Sequence, residues 1–149
     1  MTTVSLTDAR PEDAVPLARI LGDWLRGTGW MPVLHNRGED IAFLRRMIAS
    51  HRVRVARDAD GRALGFIAVK QGDIAGFYVA EAARGRGIGK ALLDAAKAEE
   101  ARLALWTFQA NTGAIAFYTR EGFAEVERTD GAGNEERLPD VRMIWRRPA

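Results

Sequence analysis

The sequence contains no cysteine. That excludes disulfides, thiolate metal sites and any mechanism through a cysteine acyl-enzyme. Histidine is nearly as scarce. His35 and His51 are the only two, too few for a dedicated metal centre, so no metal is expected. No apolar run approaches the roughly 18 residues of a membrane span, and Met1-Thr2-Thr3 does not open like a signal peptide. No membrane partner is therefore expected, and the cytoplasm is the expected location. A dominant charge is missing too. The 22 Lys and Arg stand against 20 Asp and Glu, a net charge of +2, far from a nucleic-acid-scale field. Arg52, Arg54 and Arg57 alternate along a strand and read as one solvated face, so no nucleic acid is expected either.

What is present points to one stretch, Ile74 to Glu100. It opens as an apolar run of strand type, Ile74-Ala75-Gly76-Phe77-Tyr78-Val79. Arg84-Gly85-Arg86-Gly87-Ile88-Gly89-Lys90 follows, and then the period changes to that of a helix, with Ile88, Leu92 and Ala95/Ala96 on one face. A strand, a glycine loop and a helix start are thus joined in order. First-turn N–H groups of a helix have no internal acceptor, and the dipole favours an anion there by roughly 0.3–2 kcal/mol. Arg84, Arg86 and Lys90 add positive charge. The combination reads as a pyrophosphate cradle. Its spacing matches neither the dinucleotide fingerprint G-x-G-x-x-G nor the Walker pattern.

The chain of 149 residues reads as a single domain, 1–149, with no repeat, low-complexity segment or linker. Val4 to Ala9 suits an edge strand. A helix follows through Leu17, Leu21 and Trp24, starting close to Pro16, because proline in a helix interior costs about 3 kcal/mol. Arg26 to Gly38 is a loop that carries Trp30, Met31, Val33 and Leu34. A second helix opens at Glu39-Asp40. Arg52–Arg57 and Leu64–Lys70 form a hairpin around the turn signal Asp58 to Gly61. Leu103 to Phe108 reads as a strand buried on both faces. Asn111 is placed to cap a helix that Gly122 ends, and Ala124–Thr129 and Val141–Trp145 are the last strands. The order is β-α-α-β-β-β-α-β-α-β-β.

Arg84-x-x-Gly87-x-Gly89 resembles the acyl-CoA signature of the GNAT superfamily of N-acetyltransferases. The segment Asn111 to Phe123, read as N-x-x-A-x-x-F-Y-x-x-x-G-F, resembles that superfamily's other recurrent motif, and the element order is similar over the whole chain. The resemblance implies an α/β (α+β) GNAT fold: a mixed, mostly antiparallel central sheet with helices on both faces, splayed between its fourth and fifth strands. It implies direct acetyl transfer from acetyl-CoA to a primary amine through a tetrahedral intermediate. The alternative is an acyl-CoA-binding module without catalysis. Phe77, Tyr78 and Val79 would pair through their backbone with the pantetheine arm, and Arg84, Gly85, Arg86, Gly87, Ile88, Gly89 and Lys90 would hold the pyrophosphate. Asn111 would hydrogen-bond the cofactor arm, and Tyr118 would protonate the leaving thiolate as general acid. The family often has proline where Glu81 stands.

Asn111 and Tyr118 are seven residues apart, nearly two helical turns, so both can address one ligand. On the acceptor side, Trp30 and His35 border the expected pocket. His35 would bind the acceptor or take its proton, or else is simply a loop histidine. The acceptor itself is open between a small-molecule and a peptide amine, and so is oligomeric state, a homodimer included.

Overall fold

The computed structural model describes residues 4–149; Met1-Thr2-Thr3, read above for a leader, lie outside them. These residues form β1 (Ser5–Asp8), α1 (Ala14–Gly27), α2 (Arg37–Ser50), β2 (Arg52–Arg57), β3 (Ala63–Lys70), β4 (Asp73–Val79), α3 (Ile88–Glu99), β5 (Arg102–Phe108), α4 (Thr112–Arg120), β6 (Ala124–Thr129) and β7 (Asp140–Arg146). Local chemistry accounts for the starts. Pro16 sits in the first turn of α1, where its missing N–H costs no hydrogen bond. α2 begins two residues before the expected Glu39. Asn36 Oδ1 accepts from the Glu39 N–H at 2.8 Å while Glu39 Oε1 accepts from the Asn36 N–H at 3.0 Å, a reciprocal cap.

The strands form one sheet in the order β1-β2-β3-β4-β5-β7-β6. All neighbours are antiparallel except β4 and β5. Helices cover both faces. Leu17 and Leu21 of α1 and Leu44 and Met47 of α2 pack on Val53, Val55 and Phe66. On the other face Ile88, Leu92 and Leu93 of α3 and Tyr118 of α4 pack on Ile67, Leu103, Leu105 and Met143.

Two readings of strands need correction. β5 is buried through Leu103, Ala104 and Leu105, but Trp106 is 45% exposed, because that end of the strand has lost its β4 neighbour. The arginines of β2 do not share one solvated face. Arg52 and Arg54 both pair with Glu99 of α3. Arg57 has odd parity, lies beyond a register shift after Ala56, and goes to Asp13 instead.

The Arg57–Asp13 pair is bidentate, at 3.0 and 2.7 Å, with side chains only 15% and 10% exposed. The guanidinium hydrogen bonds hold the Asp13 carboxyl below its usual range against the opposing effect of burial. A depressed carboxylate pKa stabilises the fold above the unfolded value of 3.8, and that contribution is lost as pH falls through the folded value. Asp13→Asn is expected to destabilise the protein by about 3 kcal/mol in denaturant melts at pH 7. The gap between parent and variant should close as the pH drops below about 4.

Candidate active site

β4 and β5 touch in register only at Asp73 and Ala104. One further bond, from the Ala104 N–H to the Gly72 carbonyl at 2.8 Å, closes that end. The pairing of β4 with β3 shifts by one residue between Ala68 and Val69, so Ala75 is bulged, and a bulge bends its strand. Past it the two strands separate, and the β5-facing edge of β4 has no ladder partner. A cavity of about 510 Å³ fills the gap. Its walls come from β4 (Gly76 to Val79), β5 (Leu105 to Phe108) and α4 (Asn111, Phe117, Tyr118), with Trp24 and Arg84 at the margins. Arg84 is the one charged side chain among the described residues lining it. An apolar slot with an unpaired strand edge and a cation at one end fits a long amide-bearing arm that ends in phosphate.

Arg84 lies beside the slot, its Nε donating to the Val79 carbonyl at 3.3 Å. Gly85 and Gly87 take left-handed φ of 78° and 76°, which glycine adopts without the Cβ penalty. Gly87 is the N-cap of α3, and no side chain among the described residues caps that helix, whereas Asn36 and Asn111 cap α2 and α4. The N–H groups of Ile88, Gly89 and Lys90 are thus left for an external acceptor. Ile88 contributes only backbone there, since its side chain is in the core. Arg86 is exposed beside them. Lys90 is directed elsewhere: its Nζ lies 3.1 Å from Glu121 and 3.4 Å from Asp94.

Asn111 Oδ1 accepts from the Ala114 N–H at 3.3 Å, so the residue both caps α4 and lines the slot. Tyr118, seven residues on, is 9% exposed and packed against Phe77, Phe117 and Phe123. Its hydroxyl makes no hydrogen bond among the described residues, and the ring lines the cavity. Burial, helped by the nearby Tyr78, drives its pKa well above the usual phenol value, so it keeps its proton throughout the neutral range.

Trp30 does not itself line the slot, but it makes edge contacts with two residues that do, Trp24 at 6.0 Å and Phe108 at 5.8 Å. Trp24 also packs on Tyr78 at 5.4 Å. His35 does not line the slot. Its Nε2 is 2.7 Å from Glu135 and its Nδ1 3.5 Å from Glu39. Desolvation pulls its pKa down, but Glu135 and then Glu39 outweigh this and raise it. Glu81 is exposed in a short turn. Three wall residues, Trp24, Trp106 and Phe108, were not singled out from the sequence, although Leu103–Phe108 was expected to border the opening. Their signal was present in part, as aromatics near the ends of a helix face and of a strand.

This architecture defines a GNAT-type fold with a cleft at the point where the sheet opens. The chain matches the acetyltransferase (GNAT) domain model over residues 49–125. It is 35% identical to the peptidyl-lysine N-acetyltransferase YiaC of Escherichia coli K12 over 134 residues, 87% of this chain and 90% of that one. The chain therefore belongs to the GNAT family, and it is an acetyl-CoA-dependent acetyltransferase. Its fold is similar to that of apo YjaB from Escherichia coli (TM-score 0.80, 20% identity, 96% of this chain and 97% of that one). It is also similar to that of YncA from Salmonella typhimurium, solved with its cofactor acetyl-CoA (TM-score 0.73, 17% identity, 99% and 95%).

Proposed function

We propose that the protein transfers acetyl directly from acetyl-CoA to a primary amine, with Tyr118 as general acid, and that the amine is the side chain of a peptidyl lysine. One observation carries the mechanism: a buried tyrosine whose hydroxyl has no hydrogen-bond partner among the described residues lines the gap where β4 and β5 separate. The thioester supplies an activated acyl carbon. Phe77, Tyr78 and Val79 offer backbone groups to the arm, Asn111 adds an amide, and Arg84 to Lys90 hold the phosphates, Lys90 mainly through its N–H. The neutral amine nitrogen attacks the acyl carbon and gives up a proton to water as the tetrahedral intermediate collapses; as the carbon–sulfur bond breaks, Tyr118 donates its phenolic proton to sulfur and regains one from solvent. Burial that raises the phenol also raises a thiol leaving beside it, so the two remain matched. The alternative of a binding module without catalysis leaves the Tyr118 hydroxyl with no task.

The peptide acceptor is supported by the likeness to YiaC, whose name states that acceptor. CoA release from acetyl-CoA is to be measured with lysyl peptides, free amino acids and small amines. Lysyl peptides should have the highest kcat/KM, and a preference for small amines would sink the peptide reading. Trp30 backs the wall residues Trp24 and Phe108, so Trp30→Ala should raise the acceptor KM and leave that of acetyl-CoA unchanged. The reverse pattern would put the loop on the donor side. With both ring nitrogens on carboxylates, His35 is better suited to tying this loop down than to taking the acceptor's proton.

A further inference from the structure

An amine acceptor reaches the enzyme as an ammonium ion, since its pKa is about 10.4. The donor slot has no carboxylate among its described lining residues to receive that charge. A second cavity of about 530 Å³ lies next to it and shares three wall residues, Trp106, Thr107 and Phe108. Its other side is the turn between β6 and β7. That turn is held by its own hydrogen bonds: Asn134 brackets Leu138 at 2.8 and 3.2 Å, and Gln109 Nε2 donates to the Thr129 and Asp140 carbonyls at 3.1 and 3.0 Å. Three carboxylates face this cavity, and they differ in engagement and burial. Asp140 accepts from Thr129 and Asn134. Glu127 is exposed on β6, and the Arg142 opposite it in register pairs with Asp73 instead, so Glu127 is a solvated charge. Glu136 is half-buried and makes no hydrogen bond or ion pair among the described residues. Its neighbour Glu135 points the other way, to His35. The carboxylates of α2 are engaged as well, Asp40 by Arg26 and Glu39 by His35.

We infer that Glu136 is the specificity-determining residue for the acceptor, receiving the ammonium of a cationic amine at the Trp106–Phe108 wall before it enters the slot. This rests on the acetyl-transfer reading above. Proximity is supported from the other side of the wall. The Tyr78 phenol, which lines the donor slot, is pushed up to about 12, chiefly by burial and also by the charge of Glu136. Trp106 and Phe108 give the methylene stem of such an amine an apolar surface to lie on.

The test is steady-state kinetics of the parent, Glu136→Gln and Glu136→Asp with two acceptors: a lysyl peptide, and O-methylhydroxylamine, a nucleophile neutral at pH 7. For the peptide, Glu136→Gln should raise the acceptor KM by about 10- to 100-fold, the size of one hydrogen bond to a charged group. The KM of acetyl-CoA should not move, and Glu136→Asp should recover part of the loss. The neutral nucleophile should be used equally by parent and Glu136→Gln. Added salt should weaken peptide use by the parent more than by Glu136→Gln. An unchanged peptide KM in Glu136→Gln overturns the inference while leaving acetyl transfer intact, as does an equal loss with the neutral acceptor. If acetyl-CoA binds but no amine releases CoA, the transfer reading fails and this inference with it.

Discussion

Tyr118→Phe should lower kcat by at least tenfold, within the 10²–10⁴-fold range typical of general acid catalysis, while acetyl-CoA affinity stays as it was. The separation of the two effects follows from the geometry. The ring packs against Phe77, Phe117 and Phe123 at 5.4 to 6.2 Å, and phenylalanine keeps every one of those contacts. What is lost is a hydroxyl with no partner among the described residues, so the melting temperature should hold or rise slightly. Rapid-mixing kinetics of CoA release, calorimetry with acetyl-CoA and a thermal melt together make the check. The pH dependence supplies a further mark. Because burial raises the Tyr118 pKa, no loss of activity from its ionisation should appear on the alkaline side up to about pH 10. A variant with near-native kcat would reduce Tyr118 to a packing residue.

The parts of this site that were legible from sequence are those whose cause is local. A cap such as Asn111, a helix start after Gly87 and a strand such as Asp73–Val79 are each determined by a few neighbouring residues. The parts that were not legible depend on partners far along the chain. The Lys90 side chain reads as free for phosphate, yet it lies 3.1 Å from Glu121, 31 residues on, while its N–H stays at the helix start. Arg57 reads as a solvated strand residue until a register shift turns it to Asp13, 44 residues back. The exposure of Trp106 follows from β4 leaving β5, which no property of Leu103 to Phe108 encodes. Glu136 gave no signal because nothing in a polar turn distinguishes one glutamate from the next. Only the pairing of Glu135 with His35 and the free state of Glu136 tell them apart.

The second large effect is expected at the glycine loop, where two substitutions separate strain from ligand contact. Gly87→Val should weaken acetyl-CoA binding by an order of magnitude or more, about 1.4 kcal/mol or above. At φ of 76° a Cβ at Gly87 meets no atom within 4 Å, so the cost to the fold is the left-handed backbone itself, about 1–2 kcal/mol. That is small against a usual stability of 5–15 kcal/mol, and the variant should fold. Relief of the strain, however, would rotate the N–H groups that open α3 away from the phosphates. Gly89→Ala carries no such strain. Its Cβ would sit 3.8 Å from Phe77 and Val79 and 3.9 Å from Phe117, ordinary contact distances, and alanine favours a helix by about 1 kcal/mol over glycine. Gly89→Ala should therefore leave the fold as stable or more so, and still bind acetyl-CoA more weakly where the ligand approaches the helix start closely. Calorimetric titration with acetyl-CoA, paired with thermal melts of both variants, reads the two quantities separately. Weaker binding in both variants, with lower stability in Gly87→Val alone, is the expected result. Native affinity in both would remove the phosphates from the α3 N-terminus.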